Sequence, residues 1–325
     1  METTNAPIET PPDYIAAARA AGIPLRQSAP IRRGPLPLKL PILEYLRSKR
    51  VILASASPRR KALLSQLGLP NIEIWPSNSP EDLDKKSHTP EEYVAATARR
   101  KCLDVYEAAL NRQAELSSSK PPPKKQQPPP SSTNDDDEKD DDNNDNENTP
   151  LQQQQEQEQQ EPDEATRRRL LEEPAVVIAA DTVIATRDGR ILEKPRSEAD
   201  HVRMLRLLRD TRTHRVLTGV CALAPRDDAA HPGYLVATHV EATKVTFADV
   251  DEGLPDDVIE AYVKTREGAD KAGGYAIQGI GGLLLVEKVE GSVDNVIGLP
   301  VRKCLQLCER VVFKQEELED GNESD

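Results

Sequence analysis

The chain has 325 residues, which allows one or two domains, and its formal net charge is −13. That acidity argues against a general nucleic-acid binder, although nine acidic residues and one lysine are concentrated in the stretch 135–147. No apolar run is long enough to span a membrane, the N-terminus lacks the apolar core of a signal peptide, and the four cysteines form no CxxC pair. The sequence therefore predicts a soluble cytoplasmic protein with reduced thiols and no membrane or nucleic-acid partner.

Three regions are predicted to lie outside the globular part. Residues 1–49 are a proline-rich, largely disordered extension with one short helix at 13–21. A low-complexity insertion runs from about 112 to 173, and its two ends are predicted to be helical extensions, with 164–171 helix-compatible. Residues 314–325 form an acidic tail. Because loop-closure entropy grows only logarithmically with length, we treat 50–111 and 174–313 as halves of one domain.

The remaining segments alternate between strand and helix patterns, which indicates an α/β domain. The apolar patterns predict strands at 51–54, 72–75, 176–180, 183–186, 215–223, 234–248 and 283–289. They predict helices at 59–67, 90–110, 197–208, 255–264 and 300–312. The four-residue spacing of Cys304 and Cys308 on the last helix favours core packing over a zinc site.

The first motif, "VILASASPRRKALLSQLG", is a buried strand followed by the start of a helix. Ser57 is a good N-cap and Pro58 suits the first helical position. Ser55, Arg59 and Arg60 then lie at a helix N-terminus, where free N–H groups and the macrodipole favour an anion such as phosphate. The alternative is a capped helix start with two solvated arginines.

The second motif, "AVVIAADTVIA", is an apolar strand that is predicted to end at Asp181 and then resume. A carboxylate in so apolar a run is costly unless it is paired, bound to a metal or used in chemistry. The alternative is a turn aspartate that bonds its own backbone. Shortly afterwards, in "ILEKPRS", Pro195 holds Lys194 in an extended segment.

Two further motifs lie near the C-terminus. "ADKAGGYAIQGIGG" contains five glycines in ten residues, which implies tight turns or a close approach to a ligand, and offers Asp270, Lys271 and Gln278 as polar groups. Its Tyr275 is expected to pack or to stack. In "GSVDNVIGLP" the asparagine is interpreted as a residue that joins loops. Arg, Lys, Asp and Gly together are typical of phosphate held by cations and a divalent metal.

Taken together, "LASASPRRKALLSQLGL", "AADTVI", "LEKP", "HRVLTGV", "DKAGGYAIQGIGG" and "GSVDNVIGLP" resemble the Maf family of nucleoside triphosphate pyrophosphatases in order and spacing. The resemblance covers 50–312 and implies an α/β fold with a twisted mixed sheet and two lobes around a nucleotide cleft, similar to the inosine triphosphatase group. It also implies hydrolysis between the α and β phosphates, with Mg²⁺ or Mn²⁺ as cofactor, and leaves a homodimer open.

The resemblance also implies roles for individual residues. Asp181 matches the family's proton acceptor and metal-site carboxylate, and a pure metal-ligand role stays open. The metal position matches Glu81, with Asp82 or Asp84 as alternatives. The implied substrate-binding residues are Ser55, Arg59, Arg60, Lys101, Thr182, Lys194, Lys271 and Gln278.

Within the family, Arg59, Thr182 and Gln278 resemble the branch that acts on dTTP and UTP. The chain departs from the commoner pattern at Ala276, where glycine is usual. Two other functions are open from the sequence. One is a nucleotide-binding regulator of cell division with little turnover, and the other is an interaction protein that acts through its acidic, glutamine-rich insertion.

Overall fold

The computed structural model describes residues 38–80, 82–85, 87–118, 164–226, 233–251 and 253–314. The predicted helix at 13–21, most of the insertion and the tail lie outside these residues. The described helices are α1 (Pro41–Ser48), α2 (Pro58–Gln66), α3 (Pro90–Ser118), α4 (Glu164–Leu171), α5 (Glu198–Asp210), α6 (Asp256–Lys264), α7 (Ile280–Leu284), α8 (Val293–Ile297) and α9 (Val301–Phe313). The strands are β1 (Val51–Leu53), β2 (Glu73–Ile74), β3 (Val176–Ala185), β4 (Ile191–Leu192), β5 (Thr213–Pro225), β6 (Tyr234–Phe247) and β7 (Val286–Glu290).

All seven strands form one mixed sheet in the order β2-β1-β3-β5-β6-β7, and β4 also pairs with β3. β1 runs parallel to β2 and β3, whereas β3, β5, β6 and β7 are antiparallel neighbours. The mixed α/β fold predicted from the sequence is confirmed.

Alternate residues of the central strands bury against different helices, as the period of two requires. Ile52, Val177 and Ala179 pack with α3 on one face of the sheet. On the other face, Leu53 and Ile178 belong to a cluster with residues of α1, α2 and α9. A further cluster joins the far ends of β3, β5 and β6 to α5 and α6. The sheet is therefore covered on both faces, which explains the near-continuous apolar runs of β1 and β3.

Two predictions about strands were wrong. The segments 176–180 and 183–186 form one continuous strand, β3, because β5 pairs with it without a break from Val177 to Ala185. The strand predicted at 283–289 begins only at Val286, because α7 occupies the preceding residues. The short helix was not predicted because two of its five residues are glycines, which are weak helix formers.

The helix before β1 was not predicted, whereas the helices at both ends of the insertion agree with the prediction of helical extensions there. α1 lies inside the stretch assigned to the N-terminal extension, where Pro41 starts the helix and Ile42, Leu43 and Leu46 are buried in the core. α3 continues to Ser118, eight residues beyond the predicted end. α4 coincides with the helix-compatible stretch 164–171 noted from the sequence.

Among the helices that the structure describes, none combines the length and the apolar character that a bilayer crossing requires.

Candidate active site

A cavity of about 460 Å³ opens along the middle of β3. β1 pairs with β3 only as far as Ile178, and β4 pairs with it only from Ile184 onward. Between these two residues, the edge of β3 that faces away from β5 pairs with no strand of the described structure and borders the cavity. The loops that follow β1 and β4 form opposite walls of this gap, which resembles the crevices where open α/β sheets bind ligands.

Asp181 projects from this exposed stretch of β3 and forms an ion pair with a lysine from α3. Nζ of Lys101 lies 2.7 Å from Oδ1 of Asp181, and the two side chains are only 13% and 12% exposed. The carboxylate is therefore paired, as its apolar surroundings require. Asp181 sits in the strand opposite Gly219, so the alternative of a turn aspartate was wrong.

The turn between β1 and α2 has the cap predicted from the sequence. Oγ of Ser57 accepts a hydrogen bond from the backbone N–H of Arg60 at 3.5 Å, and Pro58 is the first helical residue. Oγ of Ser55 accepts from the backbone N–H of Ser57 at 3.2 Å and from the Arg60 guanidinium at 2.9 Å. Three guanidinium N–H groups of Arg60 thus have protein acceptors, because the guanidinium also donates to Gly298 O and Thr182 Oγ1. Arg60 is therefore bound by the protein, and the alternative of two solvated arginines is wrong for this residue.

Arg59 and Lys271 reach the cavity from different elements, and a carboxylate lies between them. Oδ2 of Asp270 is 3.7 Å from Arg59, and Oδ1 is 2.5 Å from Nζ of Lys271. Although partial burial raises the pKa of Asp270, the hydrogen bond from Lys271 and the charges of Lys271 and Arg59 hold that pKa below its usual range. Both cations therefore already contact an anionic oxygen at the cavity wall.

Lys194 and Gln278 complete the set of predicted residues around the cavity. The structure brings nine of the ten together in its wall: Ser55, Arg59, Arg60, Lys101, Asp181, Thr182, Lys194, Lys271 and Gln278. The tenth, Glu81, lies outside the described residues. Of its alternatives, Asp82 is mostly exposed and pairs with Arg100 at 2.9 Å, and neither Asp82 nor Asp84 contributes to the cavity wall.

Sequence reasoning missed a carboxylate in the same wall. Glu193 accepts a hydrogen bond from the Tyr93 hydroxyl at 2.9 Å and forms an ion pair with Lys85 at 2.6 Å. Its neighbour in the chain is Lys194, so the charged pair in "LEKP" was the available signal. Tyr275 also lines the cavity, but it is buried and its ring packs edge-to-face against His214 and Phe247, with its hydroxyl 2.8 Å from Nε2 of His214.

The loop "GSVDNVIGLP" is held by its polar residues, as interpreted from the sequence. Asp294 accepts hydrogen bonds from the backbone N–H groups of Asn295 and Val301. The fully buried Asn295 donates to Val216 O at 3.0 Å and to Thr243 Oγ1 at 2.9 Å. These contacts place Gly298, which follows α8, against Arg60.

The carboxylates present suit a magnesium ion that is shared with a substrate. Within the described ranges no group of three or more His, Cys, Asp or Glu side chains forms a complete metal site. Mg²⁺, however, is commonly held by one or two carboxylates together with substrate phosphates. Asp181 and Glu193 both line the cavity, and the structure shows no hydrogen bond from the residues it describes to Oδ2 of Asp181.

Comparison with known proteins agrees with this geometry. The family model described as "Maf-like protein" matches residues 50–311. The chain belongs to the Maf family. This match spans both sides of the insertion, so the family resemblance predicted from six motifs is confirmed.

Three named relatives align with most of the length of this Maf protein. A dTTP/UTP pyrophosphatase of Schizosaccharomyces pombe is 36% identical over 82% of this chain and 86% of its own. A dTTP/UTP pyrophosphatase of Anaeromyxobacter dehalogenans is 34% identical over 81% of this chain and 95% of its own. A probable bifunctional dTTP/UTP pyrophosphatase/methyltransferase of Homo sapiens is 35% identical over 82% of this chain, but only 33% of the human protein is covered.

Proposed function

We propose that this Maf protein hydrolyses nucleoside triphosphates, with dTTP and UTP favoured, to a nucleoside monophosphate and pyrophosphate. The observation that carries the proposal is the convergence of nine predicted site residues, from five separate segments of the chain, on one cavity. The names of the relatives, dTTP/UTP pyrophosphatases from a yeast and a bacterium, support the same activity.

The chemistry follows from the charges around the cavity. A triphosphate carries about four negative charges, so an approaching nucleophile needs cations to screen it. Arg59, Lys194 and Lys271 supply positive charge at the wall, and Lys101 does so beside the carboxylate. Such fixed charges in a partly dry site stabilise the charge that develops during phosphoryl transfer.

Asp181 is the proposed proton acceptor. It orients a water and takes its proton while the water oxygen bonds to the α-phosphorus and the bond to the bridging oxygen breaks, so that pyrophosphate leaves. Lys101, paired with Asp181 at 2.7 Å, holds the carboxylate in place. General-base assistance of this kind contributes roughly 10²–10⁴-fold to the rate.

The proposed cofactor is Mg²⁺ or Mn²⁺, held by Asp181 and Glu193 together with phosphate oxygens, and the family resemblance adds Glu81 to this set. When bound, the cation neutralises phosphate charge. Lys85 and Tyr93 would then fix the orientation of Glu193.

Gln278 is the proposed reader of the base. Its amide can donate and accept together, which suits a base edge that carries a carbonyl next to an N–H, as uracil and thymine do. A wrong base would leave a polar group unpaired, and this costs affinity.

The cytoplasm is the proposed location, because all four cysteines are buried free thiols, as expected of a reducing compartment. A homodimer stays a prediction from the family resemblance, and light scattering of the purified chain would test it.

A panel of canonical and modified nucleoside triphosphates, assayed with Mg²⁺ and with Mn²⁺, tests the proposal. We expect dTTP and UTP to give pyrophosphate as the first product, and EDTA to abolish its release. Orthophosphate as the first product would contradict cleavage between the α and β phosphates. Tight nucleotide binding without any turnover would instead favour the regulator.

A further inference from the structure

A line of hydrogen bonds runs from Arg60, in the first turn of α2, through β3 and β5 to α8. A guanidinium N–H of Arg60 donates to Thr182 Oγ1 at 3.0 Å, and Thr182 Oγ1 lies 3.0 Å from Thr218 Oγ1. Thr218 Oγ1 in turn donates to the backbone carbonyl of Asn295 at 3.1 Å. The line therefore joins α2, β3, β5 and α8 below the cavity floor.

The direction of every bond in this line can be assigned. A threonine hydroxyl has one proton, and that of Thr218 is used for Asn295 O. The bond between the two threonines must then be donated by Thr182. Arg60 has no acceptor atom in its side chain, so it donates to Thr182. The single proton of Thr182 is thus committed inside the protein.

We propose that Thr218 is a positioning residue for phosphate binding, an inference that rests on the proposed function. Its Oγ1 accepts a hydrogen bond from the Thr182 hydroxyl, and this orients the lone pairs of Thr182 Oγ1 toward Arg60. Arg60, also held by Ser55 and Gly298, is fixed with its guanidinium at the cavity. Thr182 accordingly acts through Arg60 and donates no hydrogen bond to the nucleotide.

The burial of Thr218 supports this role. Thr218 is 0% exposed and pairs in the sheet with Thr182, so it cannot touch a nucleotide. Asn295, its acceptor, is equally buried and is itself anchored to Val216 and Thr243. The buried end of the line is therefore anchored, and Arg60 and Thr182 are the members that line the cavity.

Thr218→Val, which keeps the shape and removes the hydroxyl, is the test. We expect the KM for dTTP to rise about tenfold at nearly unchanged kcat. The reason is that a misoriented Arg60 guanidinium binds the substrate and the transition state more weakly to the same extent. Thr218→Ser should restore the wild-type KM. Thr213→Val on the same strand, whose hydroxyl faces Thr246 instead, should leave KM unchanged.

A double-mutant cycle distinguishes this role from general destabilisation. Thr182→Val alone and combined with Thr218→Val should give the same KM within about twofold, because both break one line. An unchanged KM in Thr218→Val, or fully additive effects in the double variant, would overturn the proposal. A fall in kcat and melting temperature at constant KM would likewise overturn it, since that signals a structural role.

Calorimetric binding of inorganic pyrophosphate separates this proposal from the proposed function. If the wild type binds pyrophosphate and Thr218→Val binds it about tenfold more weakly, as expected for one misdirected charged donor, the positioning role stands even without turnover. If the wild type binds no pyrophosphate, the positioning role is overturned.

Discussion

Single residues of the site are held by partners from distant segments of the chain. Lys101 and Asp181 are 80 residues apart in sequence but 2.7 Å apart in space, and Tyr93 reaches Glu193 across 100 residues. Lys101, Asp181 and Glu193 are therefore restrained before a substrate binds, and this lowers the cost of arranging the proposed site around it.

Asp181→Asn should abolish most turnover and leave nucleotide binding intact. The change keeps the shape of the side chain but removes the proton acceptor, so kcat should fall about 10²–10⁴-fold. Single-turnover pyrophosphate release and calorimetric nucleotide binding measure the two effects. The matched control is Asp188→Asn, on an exposed turn away from the cavity. Retention of more than about a tenth of the activity would argue against a base role.

Gln278→Ala should reduce base selectivity more than phosphate affinity. The amide is proposed to read the base, whereas Arg59, Lys194 and the turn before α2 are proposed to hold the phosphates. The ratio of kcat/KM for dTTP to that for CTP should fall, while the affinity for pyrophosphate stays within about twofold. If CTP or a methylated GTP is the best substrate of the unmodified chain, the assignment to the dTTP/UTP branch is wrong.

At the scale of elements, the site depends on unequal strand lengths and on a close helix. β1 has three residues and β4 two, whereas β3 has ten, so the middle of β3 borders the cavity. α3 lies directly on the neighbouring strand at Gly219, where a Cβ atom would be 2.2 Å from the carbonyl oxygen of Val94. This close approach brings Lys101, two helical turns further along α3, to Asp181.

Gly219→Ala should therefore lower activity beyond its effect on stability. The added methyl group pushes α3 away from β5, which costs about 1–3 kcal/mol of unfolding free energy and separates Lys101 from Asp181. Urea denaturation measures the loss of unfolding free energy, and kcat measured below the unfolding temperature measures the loss of activity. Gly189→Ala is the control, because it strains an exposed turn with a φ of 80° and open space around it. Equal kcat in the two variants would contradict the coupling.

At the scale of the whole molecule, the insertion is closed by contacts between its described ends. The side-chain amide of Gln113 donates to Leu171 O at 2.7 Å, and Arg167 donates to Leu116 O at 3.0 Å. Buried Arg50 pairs with Glu73 and donates to Glu172 O at 2.7 Å. These bonds join α3, α4 and the start of β1 independently of the residues between 118 and 164.

Replacement of residues 119–163 by a short Gly-Ser linker should leave the fold and the activity unchanged. Loop-closure entropy changes little with loop length, so the melting temperature should stay within a few degrees. Replacement of 112–173 is the informative comparison, because it also removes α4, the end of α3 and the Tyr106–Glu173 hydrogen bond, and it should lower the melting temperature clearly. Failure of the shorter replacement to fold would show that the insertion is structural.

The insertion replacement also addresses the alternative of an interaction protein. If the variant without 119–163 releases pyrophosphate at the wild-type rate, catalysis belongs to the Maf part alone. Any partner recovered with the wild type but not with this variant would then be bound by the insertion, as its acidic and glutamine-rich composition permits.

Local features of the sequence were sufficient to predict the fold class and the start of α2. The cap at Ser57 and Pro58, the apolar runs of the central strands and the residue types of the turn between β1 and α2 each depend on near neighbours in the chain. They specified an α/β fold, and the family resemblance supplied the set of site residues, nine of which the structure places around one cavity.

The remaining features depend on contacts that local patterns do not encode. Asp181 lies within a strand because β5 pairs across it, although its apolar run looked interrupted. The proposed roles of Glu193 and Thr218 rest on contacts with Tyr93, Lys85 and Asn295, which are distant in sequence. A threonine in a strand carries no signal of its own, and only tertiary packing decides which hydroxyl it meets and where that hydroxyl's proton must go.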